Sequence, residues 1–153
     1  MSVLAAVDWK LSVFDALSVP ELYELLQLRT EVFAVEQNCA FQDMDGADAQ
    51  AAHLMGRCDG ELLAYARCFP AGIKFAEASI GRVVVCRQAR GTGLGHELIE
   101  RAMSAVCNLW GRQAIRIGAQ AHLEQYYRGH GFVDANRRYI EDGIPHLDMI
   151  WQP

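Results

Sequence analysis

Long apolar runs are missing from this chain of 153 residues. Uninterrupted stretches such as Val83 to Cys86 fall far short of the ~20 apolar residues that cross a bilayer, so no membrane partner is expected. The opening segment "MSVLAAVDWK" has no basic region and carries only the apolar run Val3 to Val7, which is too short for an export signal. Paired cysteines are missing too: Cys39, Cys58, Cys68, Cys86 and Cys107 form no Cys-x-x-Cys pair, which argues against a zinc ribbon and a disulfide framework alike. A reducing cytoplasm fits this usage. Positive charge is in short supply, with 14 basic against 19 acidic residues and a net charge of −5. Non-specific nucleic-acid binding rests on phosphate neutralisation, so nucleic acid drops out as a leading partner. Low-complexity runs, linkers and internal repeats are also lacking. What is present is the composition of one folded domain, 52% apolar and 22% charged.

Hydrophobic periodicity and turn signals give an order of elements. Trp9 to Val13 reads as a strand, and Ser18-Val-Pro-Glu21 has the spacing of a capping box ahead of Leu22, Leu25, Leu26 and Phe33. After a polar, acidic stretch from Gln37 to Ala51, "AAHLMGRCDGELLAYARCF" reads as two strands about an Asp59-Gly60 turn. "ASIGRVVV" is a β-branched run ending at Val85. A glycine loop follows and opens a helix in which Leu94, Leu98, Ile99, Ala102, Val106 and Leu109 recur at helical spacing, closed by Gly111. "AIRIGAQ" is a further strand, "HLEQYYRGHGF" a short helix, and Tyr139 to Trp151 a last strand pair around Asp142-Gly143. The order is β, α, β, β, β, α, β, α, β, β.

The loop "RQARGTGLGHEL" is the most informative segment. Glycines between a strand and a helix N-terminus expose backbone N–H groups in one direction, and the helix dipole adds positive potential there, which suits phosphate. A P-loop requires Gly-Lys-Ser/Thr at its end, whereas His96 and Glu97 follow Gly95 here. A dinucleotide fingerprint requires a third glycine where His96 stands and an acidic residue about 20 positions later, in a region that reads "GRQAIRIGAQ". What remains is Arg90-x-x-Gly93-x-Gly95 after a strand.

The run "VVVCRQARGTGLGHELI" resembles the acyl-coenzyme A loop of the GNAT superfamily of N-acetyltransferases, and "QYYRGHGF" resembles that family's Tyr-x-x-x-Gly-Phe segment. "LLQLRTEVFAVEQNCAFQDMDGAD", "AYAR", "GAQAHLEQYYRGHGF" and "EDGIPHLDM" together resemble its ElaA-type branch, over about residues 20 to 150. The resemblance implies an α+β fold, an α/β/α sandwich with a central mixed, mostly antiparallel sheet flanked by helices, as one domain over residues 1–153. It implies acetyl-coenzyme A as cosubstrate, an amine acceptor and no metal, and it is compatible with a homodimer. By resemblance, the backbone of Arg90, Gly91, Thr92, Gly93, Leu94 and Gly95 holds the pyrophosphate, and Val83, Val84 and Val85 pair with the pantetheine arm. Tyr127 would line the cofactor site and act as general acid. Many relatives have asparagine after the fifth strand where this chain has Gln120, which leaves the pantetheine contact there open.

Acyl transfer from a thioester needs a neutral amine, a polarised carbonyl and a proton for the departing thiolate. A phenol can supply that proton, and of the adjacent Tyr126 and Tyr127 the second matches the family position. Backbone N–H groups near Val85 could polarise the carbonyl. The general base is ambiguous among Glu36, Asp45, His53 and His146. Glu36 and Asp45 lie between Thr30 and Gly56, a stretch with five acids and no lysine or arginine, which would attract a cationic amine. Glu36 and His53 therefore join Tyr127 as expected catalytic residues, and Arg29, Glu36, Asp45 and His146 are the expected acceptor-binding set. Arg29 falls seven positions after Leu22 on the helix's apolar face, so it should point inward, either to a substrate carboxylate or into an ion pair with one of the acids. "DMDGAD" does not complete a calcium loop, because Asp48 and Leu54 stand where glycine and glutamate are needed. Two competing readings are an acyl-coenzyme A sensor without turnover, and an acyltransferase of the homoserine-lactone-synthase kind, suggested by Arg29-Thr-Glu-Val32-Phe33.

Overall fold

The computed structural model describes residues 6–153. The apolar run Val3 to Val7 lies largely outside the described residues. Seven strands form one sheet: β1 (Asp8–Val13), β2 (Ala52–Cys58), β3 (Glu61–Phe69), β4 (Ala78–Val85), β5 (Ile115–Gln120), β6 (Val133–Glu141) and β7 (Ile144–Trp151). Three helices accompany them: α1 (Val19–Thr30), α2 (Leu94–Trp110) and α3 (Glu124–Arg128). Among the described residues the strand order is β1-β2-β3-β4-β5-β7-β6, and only β4 and β5 run parallel. Among the described residues no helix is long and apolar enough to cross a membrane.

Local chemistry explains the elements. Ser18 Oγ accepts the N–H of Glu21 at 3.1 Å, while Glu21 accepts the N–H of Ser18 at 2.8 Å, so the capping box starts α1 as its spacing implied. Strand β3 is buried at nearly every position because α1 reaches one of its faces, with Arg29 over Tyr65, and α2 the other, with Ala102 at Cys68, which is why "LLAYARCF" reads as continuous and not alternating. Helix α2 buries Leu94, Leu98, Ile99, Ala102, Ala105 and Val106 against β3 and β4, and ends at Gly111. Burying each large side chain in that row stabilises the domain by roughly 1.5–3 kcal/mol.

Two departures from the expected elements shape the cleft described below. Helix α1 does not stop at Thr30: the chain continues through a π-helical turn, Glu31–Glu36. Wider turns of this kind change which side chains share a face, and here Val32, Phe33, Glu36 and Gln37 come to face the same cavity. Strand β6 begins at Val133, six residues earlier than the expected Tyr139. Its first half has a bulge about Asn136, whose φ is +62°, and that irregularity erased the alternation by which a strand is recognised.

Candidate active site

The sheet is open at its centre. Strands β4 and β5 pair only through Ala78 with Ile115 and Ser79 with Arg116, after which they separate. A bulge drives the separation: Arg67 pairs with Gly81 but Tyr65 with Val84, so β4 holds one extra residue, and Arg82 at that point takes a left-handed φ of +49°. Beyond Ser79 the β5-facing edge of β4 is therefore free. Cys86 donates its N–H to the carbonyl of Leu63 on β3 at 2.8 Å, so alternation along the strand turns the N–H of Val85 to the free edge.

The opening is a cavity of about 1200 Å³ lined by residues between Val32 and His146, from the π-helical turn, the central strands, the glycine loop and the segments after β5. Of the expected coenzyme set, Val83, Val84, Val85, Arg90, Gly95, Gln120 and Tyr127 line it. The rest of the loop lies beside them: Gly91 and Gly93 take φ of +79° and +87°, and Gly93 caps α2. Thr92 Oγ1 donates to the carbonyl of Ala89 at 2.6 Å, pinning the loop, while the Leu94 side chain is buried in the core, so only its backbone faces a ligand. Gln120 reaches Gln37 across the cleft, with amide contacts of 3.3 and 3.5 Å.

Tyr126 and Tyr127 pack edge to face, and their hydroxyls diverge. Tyr126 donates to the carbonyl of Gly95 at the start of α2, and burial pushes its phenol up to about 12. Tyr127 is buried in the cleft wall and its hydroxyl has no hydrogen-bond partner among the described residues. Burial, reinforced by Tyr126, raises its phenol well above the ordinary tyrosine value, so it carries its proton at neutral pH.

Of the expected site residues, His53 and Arg29 lie away from the cleft, while Glu36 and Asp45 line it in ion pairs. His53 is fully buried and sealed off from the cleft: the carbonyl of Asp48 accepts from its Nε2–H at 2.9 Å, so Nδ1 accepts the Tyr65 hydroxyl at 2.6 Å. Both nitrogens are occupied, and burial lowers its pKa, which removes it from the catalytic set. Arg29, also fully buried, holds Asp43 at 2.8 Å and Asp48 at 2.8 Å and does not reach the cavity. Its inward direction was legible, and the ion pair is the outcome. Glu36 does face the cleft, but Arg90 grips both of its oxygens at 2.6 and 3.0 Å and holds its carboxyl below the usual range, so it is a poor base. Asp45 also faces the cleft, and despite its burial Arg67 and Lys74 lower its pKa. The acidic loop therefore offers no free negative field, because its carboxylates are matched by cations from β3, β4 and α1.

His146 is different. Its Nδ1 lies 2.7 Å from the carbonyl of Ile144, an acceptor only, so Nδ1 carries a proton, while Nε2 stands 3.8 Å from Glu141 Oε2. The ring stacks on Tyr139 with centroids 5.5 Å apart and lines the cleft. Tyr139, Arg137, Arg67, Lys74, Arg82 and Phe41 line it as well, and none was singled out from sequence. Arg67 left one signal, a charge inside an otherwise apolar strand.

A cleft at a parted parallel strand pair, with a glycine loop capping a helix at one side and a phenol in its wall, defines an acyltransferase-type fold. The sequence matches the acetyltransferase (GNAT) domain over residues 23–153. It is 40% identical over 145 residues to protein ElaA of Escherichia coli, covering 94% of this chain and 95% of that protein. The crystal structure of an acyl-CoA N-acyltransferase from Pseudomonas aeruginosa superposes with a TM-score of 0.91 at 47% identity, covering 95% of this chain and 99% of that one. The crystal structure of E. coli ElaA superposes with a TM-score of 0.90 at 38% identity, covering 96% and 100%. The chain belongs to the GNAT family of acetyltransferases and is an N-acetyltransferase by class.

Proposed function

We propose that the chain moves an acetyl group directly from acetyl-coenzyme A to an amine within a ternary complex. The observation that carries this reading is the convergence, on one cavity, of the free edge of β4, the Gly93-capped helix and the unpartnered Tyr127 hydroxyl. The pantetheine arm would pair with the backbone of Val83 to Val85 as an added strand, and the pyrophosphate would sit on the amides from Arg90 to Gly95 at the α2 N-terminus. The Val85 N–H, already turned to that edge, would receive the developing oxyanion. His146 Nε2 would take the proton of the incoming amine, a role the neutral ring suits with its hydrogen on Nδ1. Tyr127 would give its proton to the departing sulfur, so the acetyl group passes from sulfur to nitrogen without an acyl-enzyme.

The test is release of free thiol from acetyl-coenzyme A in the presence of an amine panel, with mass spectrometry of the acetylated amine. Turnover in the wild type, lost in Tyr127→Phe and in His146→Asn with coenzyme binding retained, supports the assignment. Turnover equal to wild type in both variants removes both assigned roles.

A further inference from the structure

Three cations converge on one carboxylate in the cleft wall. Asp45 Oδ2 accepts from Arg67 Nη2 at 2.8 Å and from Lys74 Nζ at 2.8 Å, and Arg82 Nη2 stands 3.7 Å away. Arg82 is anchored from behind, with Nε on Asp43 Oδ1 at 2.8 Å and Nη2 on the Asp43 carbonyl at 3.0 Å. Arg29 completes the cluster between Asp43 and Asp48. Four cations thus meet three carboxylates, which leaves one positive charge unmatched at a cavity wall.

The donors are not exhausted either. Lys74 makes one hydrogen bond of its three, and Arg82 Nη1 has no partner among the described residues. Arg67 Nε is buried without a partner, and a buried orphan donor costs about 1–3 kcal/mol. Arg82 also sits in left-handed backbone, a conformation unfavourable for a side chain of its size and typical of functional sites. Phe69 lies under Arg67 and Lys74, at 4.9 and 5.7 Å to the ring centroid, which fixes the heads in place.

We infer that the amine acceptor carries a carboxylate, bound by Lys74 and Arg82 beside Asp45. The inference rests on the transferase reading of the same cleft. That a carboxylate fits is already evident, since Asp45 places one among these three cations, and Arg82 Nη1 and the Lys74 ammonium keep donors for a second. The surplus positive charge would draw the acid end of the acceptor inward and leave its amine for Nε2 of His146.

The experiment separates binding from transfer. Protein saturated with coenzyme A is titrated calorimetrically with the twenty proteinogenic amino acids, their carboxamides and their decarboxylated amines. At least one free acid should bind ten-fold or more tighter than its amide and its decarboxylated form. Lys74→Gln and Arg82→Gln should each reduce that preference by about ten-fold, with melting temperature and coenzyme A affinity as controls on folding. Lys74 is partly exposed and decides the matter if Arg82→Gln fails to fold. Neutral forms binding as well as the acids, no member binding at all, or a preference that survives both variants would each overturn the inference. Transfer to neutral amines alone leaves the transferase reading standing and removes this one. Tight binding of an acid, lost in Lys74→Gln, without any transfer would leave only a carboxylate-binding wall and remove both the transferase reading and the acceptor inference.

Discussion

Tyr126 and Tyr127 are chemically identical neighbours that both line the cleft, and they differ in what holds their hydroxyls. The first ties α3 to the start of α2 through Gly95, while the second keeps an unpartnered hydroxyl. Tyr127→Phe should lower kcat by about 10²–10⁴ with coenzyme affinity nearly unchanged, measured by thiol release and calorimetry. His53 supports a different prediction. The folded protein resists protonating this buried ring, so its pKa lies below the ordinary 6.5, whereas the unfolded chain accepts the proton there. Stability from this site is present above about pH 6.5 and lost as pH falls below it. The melting temperature should therefore drop between pH 7 and 5, and less steeply in His53→Gln. Replacing Arg29 with Met should cost about 3–5 kcal/mol in urea unfolding, because Asp43 and Asp48 lose a buried partner. Helical spacing revealed that Arg29 points inward. Which acids it meets depends on a loop 14 and 19 residues further on, and no local pattern encodes that.

At the scale of elements, the glycine loop was the most legible feature, because positive φ and a helix start leave a residue signature. Gly93 has a φ of +87°, and a Cβ added there would meet nothing within 4 Å. Gly93→Ala should thus act through backbone conformation alone, costing about 1–2 kcal/mol and weakening coenzyme A binding by about ten-fold if the loop relaxes to avoid it. The capping box of α1 was equally readable from Ser18 and Glu21. The π-helical turn at Glu31–Glu36 was not, since residues of ordinary helical preference can form it and tertiary packing selects it. The bulge at Arg82 was hidden for the same reason: "SIGRVVV" reads as an uninterrupted strand, and only pairing with β3 reveals the extra residue. That bulge opens the sheet, so the feature that creates the cleft was the one that sequence periodicity could not display.

At the scale of the molecule, a chain of net charge −5 must bind a polyanionic coenzyme. By the reading proposed above, local means would serve: the amides at the α2 N-terminus would meet the pyrophosphate, while Glu36, Asp43 and Asp45, expected to attract an amine, are matched by cations within the fold. The order of strands and helices was readable because each element has its own pattern. The charge balance of the cleft was not, because it is set by pairs from distant segments. The measurement that tests the account most directly is a calorimetric titration of the protein with acetyl-coenzyme A, with NAD and ATP as controls. One-to-one micromolar binding of the coenzyme alone, about ten-fold weaker in Gly93→Ala, is the expected result. Equal affinity for ATP, or no binding of acetyl-coenzyme A, would contradict the assignment of the loop and of the cleft behind it.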